Sequence, residues 1–163
     1  MMKVLFVCTA NVFRSLSAHK LFNQYAKQNN LTALYADSAG TFEKTQGCVD
    51  PVVLETLSTY GIDASEHRPK QLQEEHFTEY DLVVAMAKSH QRFIKERFNK
   101  EVILYNEFGI GKATSVDDVD DIIREPEHHK EQVDNHIRKT IAHIHDTMHN
   151  VVGKLTQKEY RKK

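Results

Sequence analysis

The chain has 163 residues, room for one domain with a full core and too little for two. Lys and Arg total 22 against 23 for Asp and Glu, so no global positive field is available to draw nucleic acid. Apolar residues at 40% with 28% charged exclude a disordered chain. The two cysteines, Cys8 and Cys48, exclude a disulfide scaffold and fit a reducing, cytoplasmic setting.

The apolar run at the start is too short for a secretory leader, and Asn11 and Arg14 interrupt any extension of it. No run approaches the roughly 20 apolar residues of a membrane span, so no membrane partner is expected. Residues 4–7 form a continuous apolar run and predict a strand buried on both faces. From Ser15 the period changes to that of a helix, with Leu21, Phe22, Tyr25 and Ala26 on one face. Residues 34–38 predict a second strand, closed by Ser38-Ala39-Gly40-Thr41. Asp50-Pro51 is a helix start, a capping carboxylate before a proline, and Gly61 ends that helix. Residues 82–86 and 102–104 predict two further strands, with a helix between them that Ser89 caps and that buries Phe93, Ile94 and Phe98. Residues 109–126 predict a long irregular segment rich in aspartate, the kind of loop that is usually functional. Val133, Ile137, Ile141, Ile144, Met148, Val151 and Leu155 then mark a last helix, and residues 158–163 a charged, frayed tail.

Strands alternating with helices predict a single α/β domain over 1–163, a parallel sheet with right-handed crossovers. Ligands on such sheets lie beyond the carboxyl ends of the strands, where strand order reverses. The loop after the first strand reads Cys8-Thr9-Ala10-Asn11-Val12-Phe13-Arg14-Ser15. A Cys-x5-Arg spacing is weak by itself. Here the cysteine closes a strand and the arginine opens a helix, so the residues between them turn at a helix N-terminus. Amides there lack intrahelical partners, and together with the dipole they form an oxyanion nest. A thiol beside such a nest has its pKa lowered from about 8.5 to about 3.5–7.5. Arg14 offers a planar fork for two phosphate oxygens. A nucleophile, amide donors and a guanidinium around one tetrahedral oxyanion suit covalent phosphoryl transfer through a phosphocysteine. Ser15 is placed to donate to the thiolate. The competing reading is a small buried thiol at a strand end beside a surface arginine.

These residues resemble the signature of the low-molecular-weight protein tyrosine phosphatases. The likeness extends to Ser38-Ala39-Gly40-Thr41, to Gly61-Ile62-Asp63 with His67, and to Asp81-Leu82-Val83-Val84-Ala85-Met86. The resemblance implies a three-layer fold, with a four-stranded parallel sheet flanked by helices, strand 1 central and the phosphate loop after it. It implies hydrolysis of phosphotyrosine in a protein partner without cofactor or metal; a monomer or weak dimer is expected. It assigns phosphate binding to Thr9, Ala10, Asn11, Val12, Phe13, Arg14 and Ser15, and gives Asn11 the task of bracing the loop, with Ser38 and His67 behind it. Two departures stand out. Ala10 occupies a position where the family usually has glycine, so a tight turn must accept a Cβ. Phe13 stands where a second cysteine is common, leaving Cys8 less protected against over-oxidation.

A general acid must protonate the leaving phenolate, and in the family an aspartate followed by proline supplies it. The one Asp-Pro here is Asp50-Pro51, at a helix start. Within Asp118-Val119-Asp120-Asp121 the resemblance puts the acid at Asp121, followed by Ile122; Glu125, before Pro126, and then Asp120 are the alternatives. Phe42 is a candidate wall of the substrate cleft, with Ile122-Ile123 or His128-His129 opposite. Family members acting on phosphoarginine tend to have threonine where this chain has Val12. Gly109-Ile110-Gly111-Lys112 fails as a nucleotide loop, lacking the first glycine and the hydroxyl. His145 and His149 are spaced for zinc on a helix but have no convincing third ligand. Two other activities fit the same loop: arsenate reduction, for which Cys48 alone is a poor shuttle, and phosphoprotein binding with weak or no catalysis. A phosphocysteine carrier is disfavoured by Arg14.

Overall fold

A computed structural model describes residues 1–43 and 47–157; the expected frayed tail lies outside the described residues. Four strands, β1 (Met2–Cys8), β2 (Leu34–Gly40), β3 (Leu82–Ala85) and β4 (Ile103–Leu104), pair in parallel in the order β2-β1-β3-β4. All four fall on the segments expected to be strands. Helix α1 (Arg14–Gln28) carries the chain from β1 to β2 on one side, and the chain returns to β3 on the other. The end of β1 is therefore the point where strand order reverses, which leaves a crevice beyond its last residue.

Burial of β1 on both faces follows from its strict alternation. Val4, Phe6 and Cys8 face one core with Leu16 and Phe22 of α1 and with Ile141, Ile144 and Met148 of the last helix, α7 (Lys130–Leu155). Leu5 and Val7 face a smaller core with Val83, Leu72 and Ile94, the last from α4 (Lys88–Phe98). Helix α2 (Pro51–Thr59) begins as expected, with the Asp50 carboxylate accepting the Val52 N–H at 2.8 Å. Gly61 follows its end at φ 77°, a conformation open to glycine.

Three local expectations change. Ser89 does not cap α4; the N-cap is Ala87, and the buried His90 Nδ1 accepts its N–H at 3.0 Å. Ala87 has no side chain to cap the first-turn amides, and the Lys88 N–H goes to Ser115 Oγ at 2.9 Å. A short helix, α3 (His76–Glu79), precedes β3 without an apolar period to announce it. The irregular segment also begins later than expected. Gly109 still belongs to α5 (Tyr105–Ile110), whose C-cap is Gly111 at φ 69°. That pair of glycines lies at the end of a helix, where a nucleotide loop would have to open one. Beyond it lie a four-residue helix, α6 (Val119–Ile122), and a 3-10 turn over Pro126–His128. No helix among the described residues is long and apolar enough to cross a membrane.

Candidate active site

The chain leaves β1 at Cys8, turns through residues 9–13 and enters α1 at Arg14. Three supports give the turn its shape. The Cys8 carbonyl accepts the Thr41 N–H at 2.9 Å, the Thr9 carbonyl accepts the Phe42 N–H at 3.1 Å, and the Asn11 carbonyl accepts from His67 Nε2 at 2.7 Å. Drawing these carbonyls outward turns the loop amides inward. The N–H groups of residues 10–13 find no acceptor among the described residues, as at a helix N-terminus ready for an anion.

The left-handed residue of the turn is Asn11, at φ 59°, and Ala10 is not among the residues with positive φ. The Cβ of Ala10 therefore meets no backbone penalty, and the strained position falls to asparagine, which tolerates it. Asn11 is wholly buried. Its Nδ2 donates to Ser15 Oγ at 2.9 Å and to Ser38 Oγ at 2.8 Å, while its Oδ1 accepts the Lys70 N–H at 3.1 Å. Asn11 thus braces the loop as expected, joined by Lys70, which no sequence pattern marked. Gly40 matters for closeness. A Cβ there would lie 2.5 Å from the Thr9 carbonyl oxygen, so only glycine lets the end of β2 touch the turn.

Cys8 is 2% exposed and its sulfur lies 2.9 Å from Ser15 Oγ. Ser15 already accepts from Asn11, so its own hydrogen is free for the sulfur, the nearer of its two acceptors; the Ala39 carbonyl lies at 3.4 Å. The ring of Phe13 packs inward against His136, centroids 6.5 Å apart, so Phe13 offers an anion only its amide.

Arg14 is 3% exposed, and its guanidinium is aimed by backbone and carboxylate together. Nη1 donates to the Val116 carbonyl at 2.9 Å; Nη2 donates to Asp118 Oδ2 at 3.0 Å and, more loosely, to Thr9 Oγ1 at 3.4 Å. The Val116 N–H is held in turn by the Met86 carbonyl at 2.8 Å, so the end of β3 fixes the acidic segment against Arg14. The carboxylate brought to the turn is consequently Asp118. Asp121, the expected acid, turns back: its Oδ2 accepts the Asp118 N–H at 2.8 Å. Asp120 and Glu125 are exposed, and Glu125 has a left-handed backbone at φ 51°. Sequence spacing alone did not single out Asp118. The signal available was Val116, an apolar residue two before it, able to anchor the segment.

His90 approaches from α4. Its Nδ1 accepts the Ala87 N–H, so its hydrogen sits on Nε2 and donates to Thr9 Oγ1 at 2.9 Å. Burial, and then the positive charge of Arg14, push this ring down to about 3 from 6.5, so it remains a neutral donor. Around the turn, Phe42 is 57% exposed and Ile122 58% exposed, the two large apolar side chains nearest to either edge in sequence. Gly47 returns the chain to within contact of Val12. Cys48 is exposed. His145 stacks on Tyr60 at 4.4 Å, and no group of three or more His, Cys, Asp or Glu able to hold a metal occurs among the described residues.

Comparison with known proteins agrees with this architecture. The family model described as low molecular weight phosphotyrosine protein phosphatase matches residues 3–161. The chain is 35% identical over 99 residues to a protein-arginine-phosphatase of Bacillus subtilis, covering 61% of this chain and 65% of that protein. It is 36% identical over 95 residues to low molecular weight protein-tyrosine phosphatase A of Mycobacterium bovis, covering 57% of each. These matches span less than two thirds of the curated relatives' length. The fold superimposes on a crystal structure of a YwlE mutant from Bacillus subtilis with a TM-score of 0.81 at 26% identity, covering 96% of this chain and all of that one. It superimposes on a low molecular weight protein tyrosine phosphatase from T. tengcongensis with a TM-score of 0.78 at 31% identity, covering 95% and 100%. The chain belongs to the low molecular weight phosphotyrosine protein phosphatase family.

Proposed function

We propose that the protein hydrolyses phosphotyrosine in proteins through a phosphocysteine on Cys8. The observation that carries this reading is one turn framed by three groups: a thiol that receives the Ser15 hydroxyl, free inward amides, and a guanidinium paired with a carboxylate. Cys8 attacks phosphorus in line as a thiolate. The loop amides and Arg14 hold the equatorial oxygens, whose charge they balance without reorganising. The phenolate oxygen leaves with a proton from Asp118, and the P–O bond is exchanged for a P–S bond. Asp118, now a carboxylate, takes a proton from water as the water attacks phosphorus, releasing inorganic phosphate and the Cys8 thiolate.

Asp118 takes the role that the sequence reading gave to Asp121. Its carboxylate is bonded to Arg14, and Asp121 supports it from behind. The loop residues 9–13 contribute amides, Thr9 adds a hydroxyl oriented by His90, and Phe42 and Ile122 offer apolar walls to an aryl ring.

Hydrolysis of p-nitrophenyl phosphate by the wild-type protein, its loss in Cys8→Ser, and capture of radioactive phosphate on Cys8 after acid quench test the mechanism. Absence of turnover by the wild type would leave a phosphoprotein-binding role. A second substrate has one observation in its favour: the segment that carries Asp117, Asp118, Asp120 and Asp121 is tied to Arg14 through Asp118, and carboxylates suit a guanidinium. The named activity of the Bacillus subtilis relative is of that kind. Matched peptides carrying phosphotyrosine or phosphoarginine separate the two, and a kcat/KM ratio favouring phosphoarginine would overturn the assignment to tyrosine.

A further inference from the structure

Behind the turn lies a buried polar chain that ends on a histidine outside the loop. Asn11 Nδ2 has two hydrogens, and both are committed, one to Ser15 Oγ and one to Ser38 Oγ. The amide cannot be reversed, because its oxygen accepts the Lys70 N–H. Ser38 Oγ therefore accepts from Asn11, and its single hydrogen needs another acceptor, since the residue is wholly buried. The partner present is His19 Nδ1, 2.6 Å away. The same counting applies to Ser15, which accepts from Asn11 and has its hydrogen left for the Cys8 sulfur at 2.9 Å.

We infer that His19, on the buried face of α1, is a positioning residue for Cys8: by accepting the Ser38 hydrogen it holds Ser38 as the acceptor of one Asn11 hydrogen, and so helps to keep that amide, oriented by the Lys70 N–H, donating to the Ser15 hydroxyl that faces the cysteine sulfur. The role requires an imidazole with Nδ1 bare and the hydrogen on Nε2. The surroundings keep it so. Burial is the largest influence and pushes His19 down to about 3 from 6.5, with Lys20, His67 and Lys70 acting in the same sense and Asp37 opposing. His67, its ring 5.9 Å from that of His19, is itself held low by burial and donates to the Asn11 carbonyl.

Removing the acceptor strands the Ser38 hydrogen and loosens the Asn11 amide, whose backbone is already left-handed. Ser15 is then free to turn its hydroxyl to the Ala39 carbonyl at 3.4 Å, and the sulfur loses its donor. The inference rests on the proposed role of Cys8 as nucleophile, but its test needs no turnover.

Alkylation of Cys8 by iodoacetamide is followed against pH in a Cys48→Ser background, so that a single thiol reports. His19→Leu is expected to slow alkylation at pH 6 by about three- to tenfold and to move the pH midpoint upward, the loss of one donor to a thiolate. His19→Asn, whose Oδ1 can stand near the place of Nδ1, is expected to restore the rate to within about twofold. Equal rates for wild type and a folded His19→Leu would overturn the inference. Should His19→Leu not fold, nitrogen-15 NMR of the wild-type imidazole decides: an Nε2–H ring that does not titrate between pH 5 and 8 is expected, and an Nδ1–H ring or a midpoint near 6.5 overturns it. Failure of the wild type to hydrolyse p-nitrophenyl phosphate would sink the phosphatase reading and leave these outcomes intact.

Discussion

On the thiol side of the turn, Asn11, Ser15 and Ser38 are wholly buried, and the hydrogens of their side chains meet acceptors at 2.6 to 2.9 Å. On the carboxylate side, Asp118 opens a four-residue helix whose Asp120, Asp121 and Ile122 are exposed. That segment is tied down by the Val116 backbone, by Arg14 and by a contact with α7. The contrast fits the two tasks. Donors to a developing anion act best when already oriented, whereas an acid has to follow a leaving group out of the site and return to activate water.

The largest expected effect lies on the weakly held side. Asp118→Asn should lower kcat for phenyl phosphate by about 10²–10⁴-fold, and much less for p-nitrophenyl phosphate, whose anion leaves unaided. Asp121→Asn should cost about tenfold or less with either substrate, because Asp121 positions Asp118 by one backbone bond. If Asp121→Asn carries the leaving-group dependence instead, the division between the two sides drawn here is broken.

A second test stresses the rigid side. Gly40→Ala drives a Cβ to 2.5 Å from the Thr9 carbonyl oxygen, and backbone on both sides has to shift. A loss of about 1–3 kcal/mol in urea unfolding is expected, with a fall in inorganic phosphate affinity. If Gly40→Ala binds phosphate as the wild type does, the turn is less rigid than its bonds imply.

Acid should act on both sides, through His19 behind Ser38 and through His90 beside Thr9 and Arg14. His19 and His90 both stand at about 3 in the fold, each chiefly through burial, against 6.5 unperturbed. Between those values the unfolded chain binds one proton more at each ring than the folded chain does. Their contribution is complete above about pH 6.5 and declines as pH falls toward 3, by about 1.4 kcal/mol per pH unit for each ring. Urea midpoints at pH 7.5 and 5.5 measure the slope, to which His67, also held low by burial, adds, and His90→Asn should reduce it without abolishing it. Unchanged stability across that range would remove the case for neutral rings. The smallest effect is expected at Ile122, exposed on α6: Ile122→Ala should move stability by about 0.5 kcal/mol or less and raise KM for aryl phosphates alone.

Much of this was legible before any coordinates. Residues 4–7 and 82–86 are apolar without interruption because a central parallel strand is buried on both faces. Cys8 and Arg14 fall at either end of one turn because a strand stops and a helix starts between them. Asn11 as brace, with Ser38 and His67 behind it, came from likeness to a family, and the bonds are present. Ser89 misled because a hydroxyl near a helix start is a general signal, and the helix already begins one residue before it, at Lys88.

The chain by itself determined the parallel α/β order and the composition of the turn, since both depend on neighbours within a few residues. Only the folded arrangement decided which of the clustered aspartates meets Arg14, and that His19 rather than solvent receives the Ser38 hydrogen. Local spacing places Asp117, Asp118, Asp120 and Asp121 almost equivalently. The choice among them rests on bonds between residues more than one hundred positions apart, from Arg14 to Val116 and to Asp118, and these form only once β1 and β3 lie side by side.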